Sequence, residues 1–165
     1  MSDLAIYPGC DVCQAMPNDP IELKLADNDY WVASLRASDQ SLLGTSFITP
    51  KRHTPELDDL TPEEDASFVV IRNRIIKAIR ASFEPITFNV SCLKNNAFRA
   101  DPDNTPPEAA HVHWHVKPRY GTKPIEFAGE SFTDPSPGRY LNSHEHKLVS
   151  AEVALKIAET IRSHI

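Results

Sequence analysis

The stretch AAHVHWHVKPRY, residues 109–120, places three of the chain's seven histidines at every second position. Alternation with a period of two is typical of a β-strand, in which successive side chains point to opposite faces. The stretch therefore predicts a strand over 110–117 whose apolar residues face the core. Its other face, directed to a surface or cleft, carries three histidines: His111, His113 and His115.

A row of histidines suits several kinds of chemistry, because imidazole titrates near neutral pH. One interpretation is a catalytic site containing a nucleophile or a general acid–base. A second is a metal site held by three histidines, although the third ligand of such a site usually comes from another strand. A third is a half-exposed edge strand whose polar face happens to be histidine. Lys117, Arg119 and Lys123 follow closely and add positive charge that suits an anionic substrate.

The composition of the 165-residue chain is that of one ordinary globular domain, with 41% hydrophobic and 24% charged residues. The net charge of −6 argues against non-specific binding to nucleic acid or to an anionic membrane. No apolar run approaches the roughly 20 residues that span a bilayer, and the N-terminus has no signal-peptide pattern. We therefore expect a cytoplasmic protein that binds neither nucleic acid nor membrane.

Periodicity predicts two helices and four strands. The longer helix covers 61–83, where Thr61 and Glu64 form a capping box and apolar residues recur every three or four positions. A second helix is predicted at 149–164, with an apolar residue at every fourth position. The fold class is therefore α+β with a mainly antiparallel sheet. Its predicted strands are 30–35, 43–49, 86–93 and 110–117.

A second motif, Cys10-Asp-Val-Cys13, lies near the N-terminus. Taken alone, a C-x-x-C pair indicates a redox-active dithiol, half of a metal site or two incidental thiols. No βαβ pattern follows it, which argues against a thioredoxin-like role. The spacing also suits two ligands of one tetrahedral ion.

The sequence His111-Val-His113-Trp-His115-Val, followed by Pro-Arg-Tyr, resembles the signature of the histidine triad (HIT) family. The stretches FITPKRHTPELDDLTPEE at 47–64 and AIRASFEPITFNV at 78–90 also resemble this family. The resemblance implies an antiparallel sheet of about five strands with the long helix packed on it, usually in a homodimer. We expect a HIT-like domain over 1–125 and, within the same globule, a C-terminal extension over 126–165 ending in a helix.

The resemblance implies a hydrolase or nucleotidyl transferase that acts at the α-phosphate of a nucleoside phosphate conjugate. Dinucleoside polyphosphates and nucleoside phosphoramidates are substrates of this kind. The middle histidine, His113, would attack phosphorus and form a nucleotidyl-histidine intermediate. His111 and His115 would hold its tautomer and bind phosphate oxygens, and catalysis would require no cofactor.

Four residues are candidates for binding the nucleotide. Asn89, Asn95 and Asn96 look similar to polar residues at strand ends that contact the phosphate or nucleoside in this family. Asn95 and Asn96 equally fit turn asparagines that cap a strand. Arg119 is the fourth candidate, as a cation directly after the triad.

Some bacterial members of the family, and the related uridylyltransferases, bind zinc through a C-x-x-C pair and two histidines. One histidine belongs to a Pro-Lys-x-His turn and the other is the first of the triad. In this chain the matching residues are Cys10, Cys13, His53 and His111. The resemblance therefore implies a closed, structural zinc site, with unmetallated thiols as the alternative.

The chain departs from the family pattern at three places, one of which is near Ala37, where an acidic or amide residue usually holds the ribose hydroxyls. Gly44-Thr45 stands where a fourth histidine is usual, and Pro106-Pro107-Glu108 replaces the Gly-Gln-Ser whose serine is thought to assist the leaving group. Glu108 is either a replacement proton donor or a solvated loop carboxylate. Two other functions therefore stay open: a nucleotide-binding protein with weak or no turnover, and a metal-dependent hydrolase with zinc at the triad.

Overall fold

The computed structural model describes residues 7–18, 20–141 and 145–165. Five strands form one antiparallel sheet in the order β1-β2-β3-β5-β4, and two more form a separate hairpin. This architecture confirms the expected α+β fold. The strands are β1 (Lys24–Asp27), β2 (Trp31–Leu35), β3 (Ser46–Pro50), β4 (Thr87–Cys92), β5 (Trp114–Arg119), β6 (Ile125–Phe127) and β7 (Glu130–Phe132). The helices are α1 (Asp11–Ala15), α2 (Pro62–Phe83) and α3 (Ala151–Arg162).

Helix α2 packs on one face of the sheet and forms the centre of the core. Thr61 caps it as predicted: its hydroxyl accepts from the Glu64 backbone N–H, and the Glu64 carboxylate accepts from the Thr61 backbone N–H. The buried stripe of the helix shares one hydrophobic core with the buried valines of the triad segment, and its Phe68 packs against Trp31 of β2. That stripe consists of Phe68, Ile71, Ile75, Ala78, Ile79 and Phe83.

Gly44 lets the end of α2 approach the sheet closely. Its φ of +88° favours glycine, and a Cβ there would lie 3.2 Å from Ile79 Cγ2. The next residue, Thr45, is buried and donates its hydroxyl to the Leu42 carbonyl at 2.6 Å. The position of the usual fourth histidine is therefore occupied here by residues of the core.

The triad segment departs from the predicted strand over 110–117. Strand β5 begins only at Trp114, and its ladder with β3 pairs Ser46, Phe47 and Ile48 with Val116, His115 and Trp114. Before that point the backbone N–H of Val112 donates to Thr54 in the loop after β3. The chain leaves the ladder there because β3 ends at Pro50, which has no backbone N–H. The two earlier histidines consequently lie just outside the regular sheet.

The C-terminal extension contributes the β6–β7 hairpin and helix α3. No periodic pattern indicates this hairpin, because each of its strands has only three residues. Ser150 caps α3, and the buried face of the helix, from Val153 to Ile161, packs against α2 and β1. The predicted helix at 149–164 is thereby observed with shorter ends. Within the described ranges, no helix is both long and apolar enough to cross a membrane.

Candidate functional site

Two cavities meet at His113. The larger, of about 510 Å³, is bounded by the N-terminal segment, strands β2 and β3 and the loop after β4, and includes His115. The smaller, of about 280 Å³, includes His111 and Tyr7. His113, Asn96 and Val12 line both cavities. The larger volume lies in the range of small-molecule sites in proteins.

His113 has one ring nitrogen committed to the backbone. Its Nδ1 lies 2.8 Å from the carbonyl oxygen of His111. A carbonyl only accepts hydrogen bonds, so Nδ1 carries the proton and Nε2 of the neutral ring keeps its lone pair. The short segment before β5 therefore selects the tautomer that a nucleophilic Nε2 needs.

His115 is buried beside His113, with ring centroids 5.1 Å apart. Burial, and then the charge on His113, lower the pKa of His115 to about 3, so that its ring is neutral at pH 7. Neither of its ring nitrogens has a hydrogen-bond partner among the described residues. An unpaired buried donor costs about 1–3 kcal/mol, so a ligand that accepts from His115 removes an existing penalty. Phe47, opposite it across the ladder, packs edge-on at 4.8 Å.

The first histidine of the row, His111, faces a different group of residues. Its Nδ1 lies 3.5 Å from Cys10 Sγ and 3.3 Å from Cys13 Sγ, and His53 Nδ1 lies 3.2 Å from Cys13 Sγ. The four candidate ligand atoms all lie within 4.8 Å of one another. Zinc bonds of about 2.3 Å to sulfur and 2.0 Å to nitrogen place tetrahedral S and N ligands about 3.5 Å apart. The four residues therefore fit a zinc ion.

The outer nitrogens of both histidines support the same assignment. His53 Nε2 donates to the Glu108 carbonyl at 2.9 Å, and His111 Nε2 donates to the Pro50 carbonyl at 3.3 Å. The Nδ1 of each ring therefore keeps its lone pair and directs it towards the two cysteines, where it can bind a metal ion, as in most metal-binding histidines. Burial raises the pKa of the Cys10 thiol to about 11, and a bound cation is what allows such a thiol to lose its proton.

The predicted nucleotide-binding residues divide into two groups. Asn95 and Asn96 line the larger cavity, and Asn96 also lines the smaller one. Lys94 directs them there, because its left-handed backbone (φ 51°) turns the chain away from the end of β4. The Glu108 side chain, in contrast, is exposed and lines neither cavity.

Asn89 and Arg119 do not line either described cavity. The Arg119 guanidinium is buried; its Nε and Nη2 donate to Asp134 at 2.8 and 3.1 Å, and its Nη1 donates to Asn89 Oδ1 at 2.8 Å. We therefore correct the interpretation of Arg119 as a free cation for the nucleotide. Its charge is matched by a carboxylate of the C-terminal extension.

Sequence inspection missed three residues of the larger cavity: Arg36, Phe47 and Arg99. The Arg36 guanidinium lies over the Phe47 ring, 5.4 Å from its centroid, and 3.6 Å from Asp39. Phe47 is identifiable only through the register that places it opposite His115, and register is not readable from the strand sequences alone.

Comparison with known proteins agrees with this geometry. The HIT domain profile matches residues 23–122. The chain is 30% identical over 112 residues to "Protein hit" of Bacillus subtilis (strain 168), covering 68% of this chain and 72% of that protein.

Two solved structures share the fold at low sequence identity. A zinc-bound histidine triad family protein of Mycobacterium smegmatis has a TM-score of 0.56 at 19% identity, covering 94% of this chain and 91% of that one. The diadenosine triphosphate hydrolase of Plasmodium falciparum, solved with cyclomarin A, also has a TM-score of 0.56, at 16% identity, covering 88% of this chain and 77% of that one. The profile match spans more than half of the sequence, and the triad lies inside it. The chain therefore belongs to the HIT family.

Proposed function

We propose that this protein hydrolyses a nucleoside phosphate conjugate, or transfers its nucleotidyl group, through a covalent bond to His113. Proteins of the HIT family are nucleotide hydrolases or transferases. The observation that carries the proposal for this chain is the hydrogen bond from His113 Nδ1 to the His111 carbonyl. It leaves Nε2 with a lone pair, at the junction of two cavities that have room for the two halves of a conjugate.

The reaction proceeds in two displacements. Nε2 of His113 attacks the α-phosphorus, an N–P bond forms, and the bond from phosphorus to the leaving group breaks. The leaving group takes up a proton as it departs. Water supplies this proton if no side chain donates it. Water or another acceptor then attacks phosphorus and forms a P–O bond, its proton passes to solvent, and the N–P bond breaks, so that His113 is released as a neutral ring. His115 stabilises the phosphate by donating from a buried ring nitrogen that has no described protein partner.

We further propose that zinc occupies the site formed by Cys10, Cys13, His53 and His111, in a structural role. Four protein ligands close the coordination sphere and leave no position for a reacting water. The similar protein of Mycobacterium smegmatis is described as zinc-bound. A catalytic zinc held by all three triad histidines fits less well, because His111 directs its Nδ1 to the cysteines.

A nucleotide-binding protein with weak or no turnover is the second candidate. One observation favours it: the segment before the triad is a 3-10 turn over Pro107–Ala109 that carries no hydroxyl side chain. Its only acidic side chain, Glu108, points to solvent, although its carbonyl binds His53. Loss of a positioned proton donor typically reduces a rate by 10²–10⁴-fold.

The test is a panel of adenylyl and guanylyl conjugates, including diadenosine triphosphate and adenosine 5′-phosphoramidate. Turnover is followed by release of the nucleoside monophosphate, and rapidly quenched protein is examined by mass spectrometry. We expect a nucleotidyl adduct on the peptide that contains His113. Binding of the nucleoside monophosphate without turnover or adduct across the panel would favour the second candidate.

Three expectations from the sequence remain predictions. They are the division of the chain into a domain over 1–125 and an extension over 126–165, the cytoplasmic location, and the homodimer. Strand β4 forms one edge of the sheet, and an uncovered edge offers backbone groups to a partner. Exposed Ile86 and Leu93 flank that strand and add apolar surface, which supports pairing through this edge.

A further inference from the structure

Two cations border the larger cavity, and one of them, Arg36, is paired with Asp39, a residue that does not line the cavity. Among the described residues that line it, Arg36 and Arg99 are cationic and none is Asp or Glu. The walls near the N-terminal segment are mainly apolar, with residues such as Met16, Leu23 and Val32. Apolar walls suit a base or another uncharged ring, but they do not explain why two guanidinium groups border the same space.

Arg36 is held rigidly beside the triad. Its side chain is only 18% exposed, lies 3.6 Å from Asp39, and covers the Phe47 ring that packs on His115. Asp39 also accepts from the Ser41 hydroxyl at 2.6 Å, which anchors the carboxylate in turn. A guanidinium restrained in this way loses little conformational freedom when it binds a ligand.

Further cations act on the same region. Burial lowers the pKa of Arg36; Asp39 opposes this effect and Arg99 adds to it. Burial and then Arg36 lower the pKa of Lys117, which lies two residues after His115 on β5. Positive charges thus approach one another closely enough to interact. Asp39 offsets part of this repulsion, and an anion bound in the cavity would offset more of it.

We propose that the larger cavity binds a second phosphate group of the substrate, in addition to the phosphate at His113, through Arg36 and Arg99. This inference rests on the proposed function and narrows the substrate class to conjugates that carry at least one phosphate besides the α-phosphate that His113 attacks. The second phosphate belongs either to a polyphosphate chain or to a phosphorylated ribose. Arginine suits both because its planar fork matches phosphate oxygens in pairs.

Calorimetric titration with three nucleotides at one ionic strength tests the proposal. AMP carries one phosphate, ADP carries a second on the chain, and adenosine 3′,5′-bisphosphate carries a second on the ribose. We expect ADP or the bisphosphate to bind about tenfold more tightly than AMP, and the tighter of the two identifies the source. The preference should shrink as salt is added, because screening weakens interactions between charges.

Variants assign the preference to the two arginines. Arg36→Gln and Arg99→Gln should each remove most of the preference for the two-phosphate nucleotide over AMP. Arg36→Lys keeps the charge and should retain part of this preference. Arg74→Gln removes the same charge from an exposed position on α2 and should leave the preference unchanged. Thermal melts establish that each variant is folded, and Arg99→Gln, at an exposed position, provides the test should Arg36→Gln not fold.

Equal affinity of the wild type for all three nucleotides, with AMP still bound, would overturn this inference and leave the proposed function standing. A preference that survives in both Arg→Gln variants would also overturn it. Failure of all three nucleotides to bind would count against the proposed function itself, and the inference would fail with it.

Discussion

His111 connects the cysteine cluster to His113 through two different parts of one residue. Its ring nitrogen Nδ1 lies 3.3 Å from Cys13 Sγ, while its carbonyl oxygen lies 2.8 Å from His113 Nδ1. A shift of this residue would therefore alter the ligand geometry and the tautomer of the nucleophile together. The proposed nucleophile and the proposed metal site are thus coupled through the position of one residue.

Substitution of the nucleophile is the first prediction. His113→Ala should lower turnover by several orders of magnitude and abolish the nucleotidyl adduct, because the covalent route is lost. Folding and AMP affinity should change little, since other residues line the cavities. His164→Ala, which removes an exposed histidine of the C-terminus, is the matched control. A His113→Ala protein that keeps more than about a tenth of the wild-type rate would rule out this assignment.

Metal content is the second prediction. Protein purified without chelators should contain close to one zinc per chain, and the Cys10→Ser/Cys13→Ser protein close to none. The midpoint of thermal unfolding should also fall, because the binding energy of a site formed only on folding contributes to stability. Cys92→Ser is the control, since Cys92 lies outside the cluster. Metal-free wild type, or equal zinc in the double variant, would contradict the site.

The third prediction concerns acid stability. The pKa of His115 falls from 6.5 to about 3 on folding, so between these values the unfolded state binds one more proton than the native state. Stability must then decrease as the pH falls below 6.5, by about 2 kcal/mol per such histidine at pH 5. His115→Gln should remove this contribution. Urea unfolding at pH 7 and pH 5 measures it, and equal losses in both proteins would refute the pKa shift.

The buried ion pair between Arg119 and Asp134 gives the fourth prediction. Burial acts to raise the pKa of Asp134, but hydrogen bonds from Arg119 and from the backbone of Ser136 and Tyr120 hold it below its ordinary value. Asp134→Ala would leave a buried guanidinium without its carboxylate and should cost about 3–5 kcal/mol of stability. Glu152→Ala breaks an exposed helical pair instead and should have no measurable effect. Similar melts for the two variants would contradict this account.

Assembly is the fifth prediction. Light scattering at micromolar concentration should give about twice the 18.4 kDa chain mass. Ile86→Lys places a charge next to the exposed edge strand β4 and should shift the protein towards the monomer. Ile21→Lys changes an equally exposed isoleucine away from that edge and serves as the control. Detection of only an 18.4 kDa wild-type species would exclude the homodimer under these conditions.

Patterns within short stretches of sequence were sufficient to predict helix α2 and the sheet face that bears the histidines. The Thr61 capping box and the apolar period identified α2, and the alternating histidines identified the sheet face that bears the site. The start of β5 could not be predicted, because it depends on where its partner β3 ends. Arg119 was misjudged for a similar reason: its partner, Asp134, comes from an extension with no recognisable motif.

The two arginines of the larger cavity could not be predicted from the sequence either. Arg36 and Arg99 lie 63 positions apart in the sequence, and neither belongs to a motif. Only the sheet and the turn at Lys94 bring them to one space. The four candidate zinc ligands come from three distant parts of the chain, but they could be identified because the resemblance supplied their pattern.

The separation of 101 residues between Cys10 and His111 has a consequence for how the site is made during synthesis. The N-terminal segment leaves the ribosome first, but its cysteines have no histidine of the triad to meet until two thirds of the chain has followed. Val12, between those cysteines, lines both cavities. The two cavities therefore cannot be complete in a nascent chain until the triad segment has been synthesised, even if the first strands pair early. A segment that is synthesised before the sheet therefore completes one of the last parts of the molecule to form.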